Sequence, residues 1–342
     1  MSHPTLSILI PNYNHGKFLA NALNAILEQS YQPLEILVLD DASTDHSLEV
    51  LNQFMNRVQI LRHETRQGVV FNLNYLTSLA AGDYVYFAAA DDQILPGFLE
   101  RSMQLLAQHP EAGLCSSQTY LMNNEGHLQG LASDLLYTEN NYISPKDALA
   151  YLHTQGPWFA GNATIYRKQA LIEAGGFLPQ LESFCDGFIQ EVIALRYGVC
   201  FIREPLAIWR VSEHGYAIGI SQNIERERKM ISHVIELMET NYRDVFPPQY
   251  KDVQIKRLLR RYSVMNLSQV QNGQQRFLDN LQHRLYLKGM TPLDRAGLLM
   301  LKNLIQVEII IIKIFLGLSF GFPYDKVPMK IRKLLGYMRL LN

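Results

Sequence analysis

Apolar positions in the first half of the chain fall alternately into short runs and into stripes of helical period. Leu6 to Ile10 is a short apolar run that predicts a strand, and His15 to Gln29 places Phe18, Leu19, Ala22, Leu23, Ile26 and Leu27 on one helical face. Glu35 to Leu39 predicts a second strand, Ser43 to Phe54 a helix entered through two capping residues, Ser43 and Thr44, and Val58 to Leu61 a third strand. Gly68 opens a helix that runs to Ala81. Gly82 and Asp83 then turn the chain into YVYFAAA, a fourth strand ending at Asp91 and Asp92.

Beyond Asp92 the alternation loosens. The pattern predicts a helix from Pro96 to Gln108, a strand from Gly113 to Met122 with a hairpin turn at Asn123 to Gly126, and a strand from Gly161 to Tyr166. A helix from Lys168 to Ala174 is closed by Gly175 and Gly176, and a further helix spans Phe184 to Tyr197. Strands at Val199 to Ile202 and Ala207 to Arg210 follow, and from about Ile224 helical patterns dominate.

Strands and helices alternating at this spacing imply an α/β domain with a mostly parallel sheet and helices on both faces. Ligands of such sheets sit outside the carboxyl ends of the strands. That rule singles out Pro11 to Asn14, Asp40 to Asp45, and Asp91 with Asp92, so several strands deliver carboxylates to one edge. Like charges gathered there need a cation. A hard divalent metal bridging substrate phosphates, Mn or Mg, meets that need with one or two carboxylates. An Asp after a strand can instead simply cap the next helix, a reading that suits Asp45 and Ser43 better than the adjacent acids Asp91 and Asp92.

The overall charge of the 342 residues is -1, which argues against a dedicated nucleic-acid binder. Residues 281 to 342 hold 10 Lys plus Arg and 3 Asp plus Glu, a local +7, against 21 and 29, a net -8, in the rest. Inside this basic tail lies LIQVEIIIIKIFLGLSFGF, Leu304 to Phe322, interrupted by Glu308 and Lys313 and so a poor bilayer span. Two readings stand side by side. One is a helix buried on the main domain or on a second subunit, as in a homo-oligomer; the other is a membrane-surface helix whose Lys326, Lys330, Arg332, Lys333 and Arg339 meet anionic headgroups. The three cysteines, Cys115, Cys185 and Cys200, are too scattered for a disulfide framework or a close-paired zinc site. With MSHPTLSILIP showing no basic leader, a cytoplasmic location is expected, with peripheral contact at the inner face of the cell membrane. The length suggests about two domains, or one large domain with an appendage, and the patterns place an α/β domain over residues 1–222 and a helical region over 223–342.

SILIPNYNHGKFLANALNAILEQSYQPLEILVLDDASTD, Ser7 to Asp45, resembles the opening of the family 2 glycosyltransferases, inverting enzymes of the GT-A fold. The resemblance runs over residues 5 to 215. It takes in P-x-Y-N after the first strand, D-D-x-S-x-D after the second, and D-D followed by Pro96 after the fourth. It implies a nucleoside-diphosphate sugar as donor and a glycan or lipid-linked glycan hydroxyl as acceptor, in bacterial surface polysaccharide synthesis. Pro11, Tyr13, Asn14 and Asp40 or Asp41 would hold the nucleotide, with Arg66 and Asn74 as further polar contacts. Asp92, supported by Asp91, would bind the metal. Members commonly carry an Asp where this chain has Ala89.

GNATIYRKQALIEAGGF, Gly161 to Phe177, looks like the family's acceptor-side strand and helix, and FCDGFIQEVIALRYG follows it. By the resemblance Asp186 is the catalytic base, Gly187 stands where a second acid often does, and Glu191 is the substitute in a shifted register. A helix cap is the plainer reading of Asp186. In PLAIWRVSEHGYA, Arg210 matches the family's closing segment, and His214 is a candidate for the metal or the diphosphate. Two alternatives remain open. A sugar-nucleotide nucleotidyltransferase would need a Gly-rich basic loop after the first strand, where PNYNHGKFL has only Gly16. A non-catalytic glycan-assembly partner with a degenerate site is suggested by Ala89 and Gly187.

Overall fold

The structure is a computed structural model that describes residues 4–132, 141–211 and 223–258. His214 and the basic apolar tail lie outside them. Among the described residues ten strands form one sheet: β1 (Leu6–Asn12), β2 (Glu35–Asp40), β3 (Gln59–Arg62), β4 (Tyr84–Phe87), β5 (Gln93–Ile94), β6 (Leu114–Met122), β7 (Leu128–Leu131), β8 (Tyr142–Ile143), β9 (Thr164–Arg167) and β10 (Val199–Arg210). The helices are α1 (Gly16–Leu27), α2 (Ser47–Asn52), α3 (Val69–Leu79), α4 (Phe98–Gln108), α5 (Pro145–Thr154), α6 (Lys168–Glu173), α7 (Cys185–Tyr197) and α8 (Ile224–Glu239).

The main path through the sheet is β3-β2-β1-β4-β9-β6-β10-β5, with β7 on β6 and β8 on β10. The first four strands pair in parallel, which their intervening helices require. β9 runs against both β4 and β6, and β10 returns parallel to β6. The expected pair of strands over 199–202 and 207–210 is one strand, because register shifts around Pro205 absorb the break in the pattern.

Leu6, Ile8 and Ile10 of β1 are fully buried, and with Val38, Tyr86, Ile165 and Cys200 they meet Leu19, Leu23 and Ile26 of α1 and Leu99, Met103 and Leu106 of α4. Each such side chain contributes about 1.5–3 kcal/mol when withdrawn from water. All three cysteines are free thiols within this interior; burial pushes Cys115 up to about 12. α5, unmarked in the periodicity, is nonetheless locally specified. Ser144 caps it by accepting the Asp147 amide hydrogen, and Pro145 occupies the first turn.

The chain divides into two compact units, Met1–Ile220 with Ser232–Lys251, and Ser221–Ile231 with Asp252–Asn342. The first unit thus takes in a segment beyond the expected boundary at 222. There the Tyr242 hydroxyl donates to Ala174 O at 2.8 Å, the Phe188 ring meets Tyr242 and Phe246, and the Tyr250 hydroxyl donates to Glu191 at 2.7 Å. Among the described residues no helix is long and apolar enough to cross a membrane.

Candidate active site

At the carboxyl ends of β1 and β2 the chain knots two loops together. Asp40 is fully buried and accepts from Asn12 Nδ2 (2.9 Å) and the Ser43 amide (3.0 Å). Asn14, at φ 56°, accepts the Thr44 and Asp45 amides through Oδ1 at 2.7 and 3.3 Å, and its own amide donates to Ser43 Oγ at 3.0 Å. A left-handed backbone at a non-glycine residue persists only where the surroundings hold it, and Asn tolerates it best. Ser43 therefore serves the knot and does not cap α2. The cap position is His46; Asp45, just before it, accepts Ser47 N at 2.9 Å and Gly16 N at 2.9 Å, bracing the starts of α2 and α1 together.

Asp41 points its buried carboxylate at the next loop, where it accepts the amides of Gln67 (2.7 Å) and Gly68 (2.8 Å). That clamp brings the preceding residue, Arg66, to Tyr13, with the guanidinium 4.0 Å from the ring centroid. Pro11, Tyr13, Asn14, Asp40, Asp41 and Arg66 are thus joined in one constellation at the ends of β1 and β2. Asn74 makes a different contact: its amide donates to Phe177 O (2.7 Å) and accepts Phe177 N (2.9 Å), tying α3 to the loop after α6.

The two acids after β4 differ in the reverse of the expected sense. Asp92 is 7% exposed, and its Oδ1 accepts the Arg210 amide at 2.8 Å. Desolvation, and then the neighbouring Asp91 charge, push its carboxyl well above the usual carboxylate range. Asp91 keeps 23% of its side chain exposed and lies 4.0 Å from His15 Nε2. Asp92 is therefore a strut between the end of β4 and β10, and Asp91 is the carboxylate left facing outward. The Arg210 guanidinium completes the strut, donating to Asp91 O (3.1 Å) and Asn123 O (3.2 Å) over the Phe18 ring.

A divalent cation fits this arrangement as a guest of Asp91 and of ligand phosphates. Burial first, and then the charge of Asp91, hold the carboxyl of Asp92 toward its neutral form, which leaves Asp91 as the carboxylate a cation would meet. Among the described residues no group of three or more His, Cys, Asp or Glu gathers as a complete metal cage.

Asp186 lies in the first turn of α7, and the cap position belongs to Phe184, so the plain capping reading does not hold. Its Oδ1 accepts the Gly187 amide at 2.8 Å. Its charge also contributes, after burial, to raising the Tyr166 phenol. Glu191, the alternative in a shifted register, is buried and accepts from Tyr250. Gly161 and Asn162, which open the acceptor-side motif without a role assigned to either, form the turn that leads into β9. Asn162 O accepts the Tyr86 hydroxyl at 2.8 Å.

Residues 7–175 match the family described as Glycosyl transferase family 2. Glycosyltransferase GlyG of Streptococcus pneumoniae is 37% identical over 102 residues, 29% of this chain and 34% of that protein, so the match spans about a third of that relative's length. Among solved structures, the 1–349 segment of S. aureus TarS in complex with UDP-GlcNAc superposes with a TM-score of 0.57 at 18% identity, over 75% of this chain and 72% of that one. The mannosyltransferase PcManGT from Pyrobaculum calidifontis, in complex with GDP-Man and Mn2+, does so with a TM-score of 0.52 at 18% identity, over 96% of this chain and 89% of that one. Both structural likenesses establish the fold. The matched stretch, residues 7–175, is thus a glycosyl transferase family 2 region, carried on a GT-A type α/β sheet.

Proposed function

We propose that the protein moves a sugar from a nucleoside-diphosphate sugar to a hydroxyl of a glycan or lipid-linked glycan, with inversion at the anomeric carbon. The observation that carries this reading is the short turn of Gly161 to Ala163, which packs on Asp186 through Gly161 and accepts the Tyr86 hydroxyl through Asn162 O, on the strand β4 that leads to Asp91 and Asp92. The proton acceptor, Asp186, and the strand that ends at Asp91, the carboxylate for a cation, are thus joined through a single turn. Nucleotide sugars as donors are supported by the UDP-GlcNAc and GDP-Man bound in the two similar structures, and a divalent metal by the Mn2+ in the second.

In this reading the constellation of Tyr13, Arg66 and Asp41 binds the nucleotide, its clamped loops fixing the ring and guanidinium in advance. Asp91 holds the cation, which when bound supplies positive charge for the departing diphosphate. Asp186 accepts the proton from the acceptor hydroxyl as that oxygen forms its bond to the anomeric carbon. The bond from the anomeric carbon to the diphosphate oxygen breaks in the same displacement, and attack from the opposite face inverts the centre. The bacterial surface polysaccharide setting rests on family likeness and on the basic apolar tail.

The test is a thermal-shift panel on the full chain with UDP-GlcNAc, other UDP-sugars and GDP-mannose, each with Mn2+ and then with chelator. Specific binding to the native state raises the melting temperature by mass action. At least one donor should shift it in a Mn2+-dependent way, and no shift with any donor contradicts the reading.

A further inference from the structure

Gly161 opens the turn before β9, yet it is absent from the glycines with positive φ. Any residue can adopt its backbone, so the demand for glycine there is a demand for space. A methyl group at Gly161 would lie 2.4 Å from Asp186 Oδ2, and the two next nearest atoms are Cγ and Cβ of the same side chain. No other residue supplies a heavy atom among those three. The carboxylate of Asp186 is thus seated between two backbone surfaces: the bare Cα of Gly161 on one oxygen, and the Gly187 amide, 2.8 Å away, on the other.

The following residue leads to the opposite side of the site. Asn162 O takes the hydroxyl of Tyr86 on β4, the strand that leads to Asp91 and Asp92. The fixed end of the turn is equally well tied: Thr164 Oγ1 donates to Ala160 O at 2.7 Å, and Gln190 of α7 donates to Thr164 Oγ1 at 3.2 Å and to the Tyr166 hydroxyl at 2.9 Å. The turn therefore cannot yield to a larger side chain without moving either β9 or the Tyr86 contact. The carboxylate, on a rotatable side chain, is the part that gives way.

We infer that Gly161 is a positioning residue for transfer: its missing side chain is the seat that holds the Asp186 carboxylate, and its turn sets the spacing between that carboxylate and the Asp91 edge. The catalytic half of this inference rests on Asp186 being the base; the steric half does not. A side chain at 161 displaces the proton acceptor and leaves the nucleotide constellation at β1 and β2 untouched. Misplacement of a reacting group by about 1 Å costs on the order of a hundredfold in rate.

Three variants of the full chain test this: Gly161→Ala, Asp186→Ala and the two together. Each is read by melting temperature and by release of nucleoside diphosphate from whichever of UDP-GlcNAc and GDP-mannose the native chain turns over with Mn2+. Gly161→Ala should lower the melting temperature, and removing the carboxylate in the double variant should restore most of that loss, since the clash partner is gone. In turnover, Gly161→Ala should lose about a hundredfold in kcat with the donor KM held within about twofold, the signature of a lost transition-state contact. Additive melting losses, or Gly161→Ala at native kcat, overturn the inference. Should Asp186→Ala itself turn over at the native rate while the melting coupling persists, the seat stands and the assignment of Asp186 as base falls.

Discussion

Adjacent acids at the end of a strand look interchangeable in the sequence, and the protein uses them oppositely. Asp92 turns inward to the Arg210 amide, and Asp91 turns outward beside His15. Replacing Asp92 by Ala leaves the buried Arg210 N–H without its acceptor and should cost roughly 1–3 kcal/mol of stability, visible in urea unfolding. Asp91→Ala should leave stability within about 0.5 kcal/mol, as surface substitutions do, and should abolish the Mn2+-dependent part of the donor thermal shift. The reverse pattern would restore the reading in which Asp92 holds the metal. This parity was not legible in the sequence, because it is set by the pairing of β5 against β10, a contact across 113 or more residues. Gly161 is visible as the first residue of a motif and falls within an expected strand, but its approach to Asp186, 25 positions on, is set by the tertiary packing of the turn before β9 against α7. Tyr13, Arg66, Asp40 and Asp41 were legible because each motif follows a strand whose end the topology fixes.

At the scale of elements, the periodicity located most strands and helices to within a few residues. It misplaced two things, the start of α2 and the break in β10, where side-chain hydrogen bonds and a bulge override the local pattern. The parallel core is also pinned at its lower end by a contact that the pattern does not announce. The Asp83 carboxylate accepts both the amide (2.9 Å) and the hydroxyl (2.8 Å) of Thr5, joining the turn before β4 to the start of β1. The Thr5 amide first, then its hydroxyl, hold this carboxyl below the usual range, against a smaller opposing effect of burial. A folded-state value below the unfolded one means stability that is fully present above about pH 4 and is lost as the pH falls through the folded value. Asp83→Asn should therefore be less stable than the native chain at pH 7, and the gap should narrow as the pH falls below about 4 in a series of urea titrations. A gap that widens on acidification would contradict this assignment.

For the whole molecule, the near-zero net charge combines a sheet-based catalytic unit of acidic character with a basic segment from residue 281 onward. Three acids of the first part have specific tasks in the described structure, Asp40, Asp41 and Asp45 each clamping loops, while Asp91 keeps its carboxylate partly exposed. The basic, apolar segment lies outside the described residues, and its membrane role remains an expectation from composition. If it meets anionic lipid, the full chain should co-sediment with phosphatidylglycerol vesicles at low salt and a chain lacking residues 281–342 should not. Equal sedimentation of both would assign the segment to packing alone.

The central claim is that Asp186 takes the acceptor proton in a site where the donor is held by other groups. Its most direct test is Asp186→Asn, which preserves shape and removes the basic oxygen. Turnover of the donor sugar should fall by about 10²- to 10⁴-fold while the donor dissociation constant, measured by calorimetry with Mn2+, stays within about twofold. Turnover at the native rate with unchanged donor affinity would contradict the account.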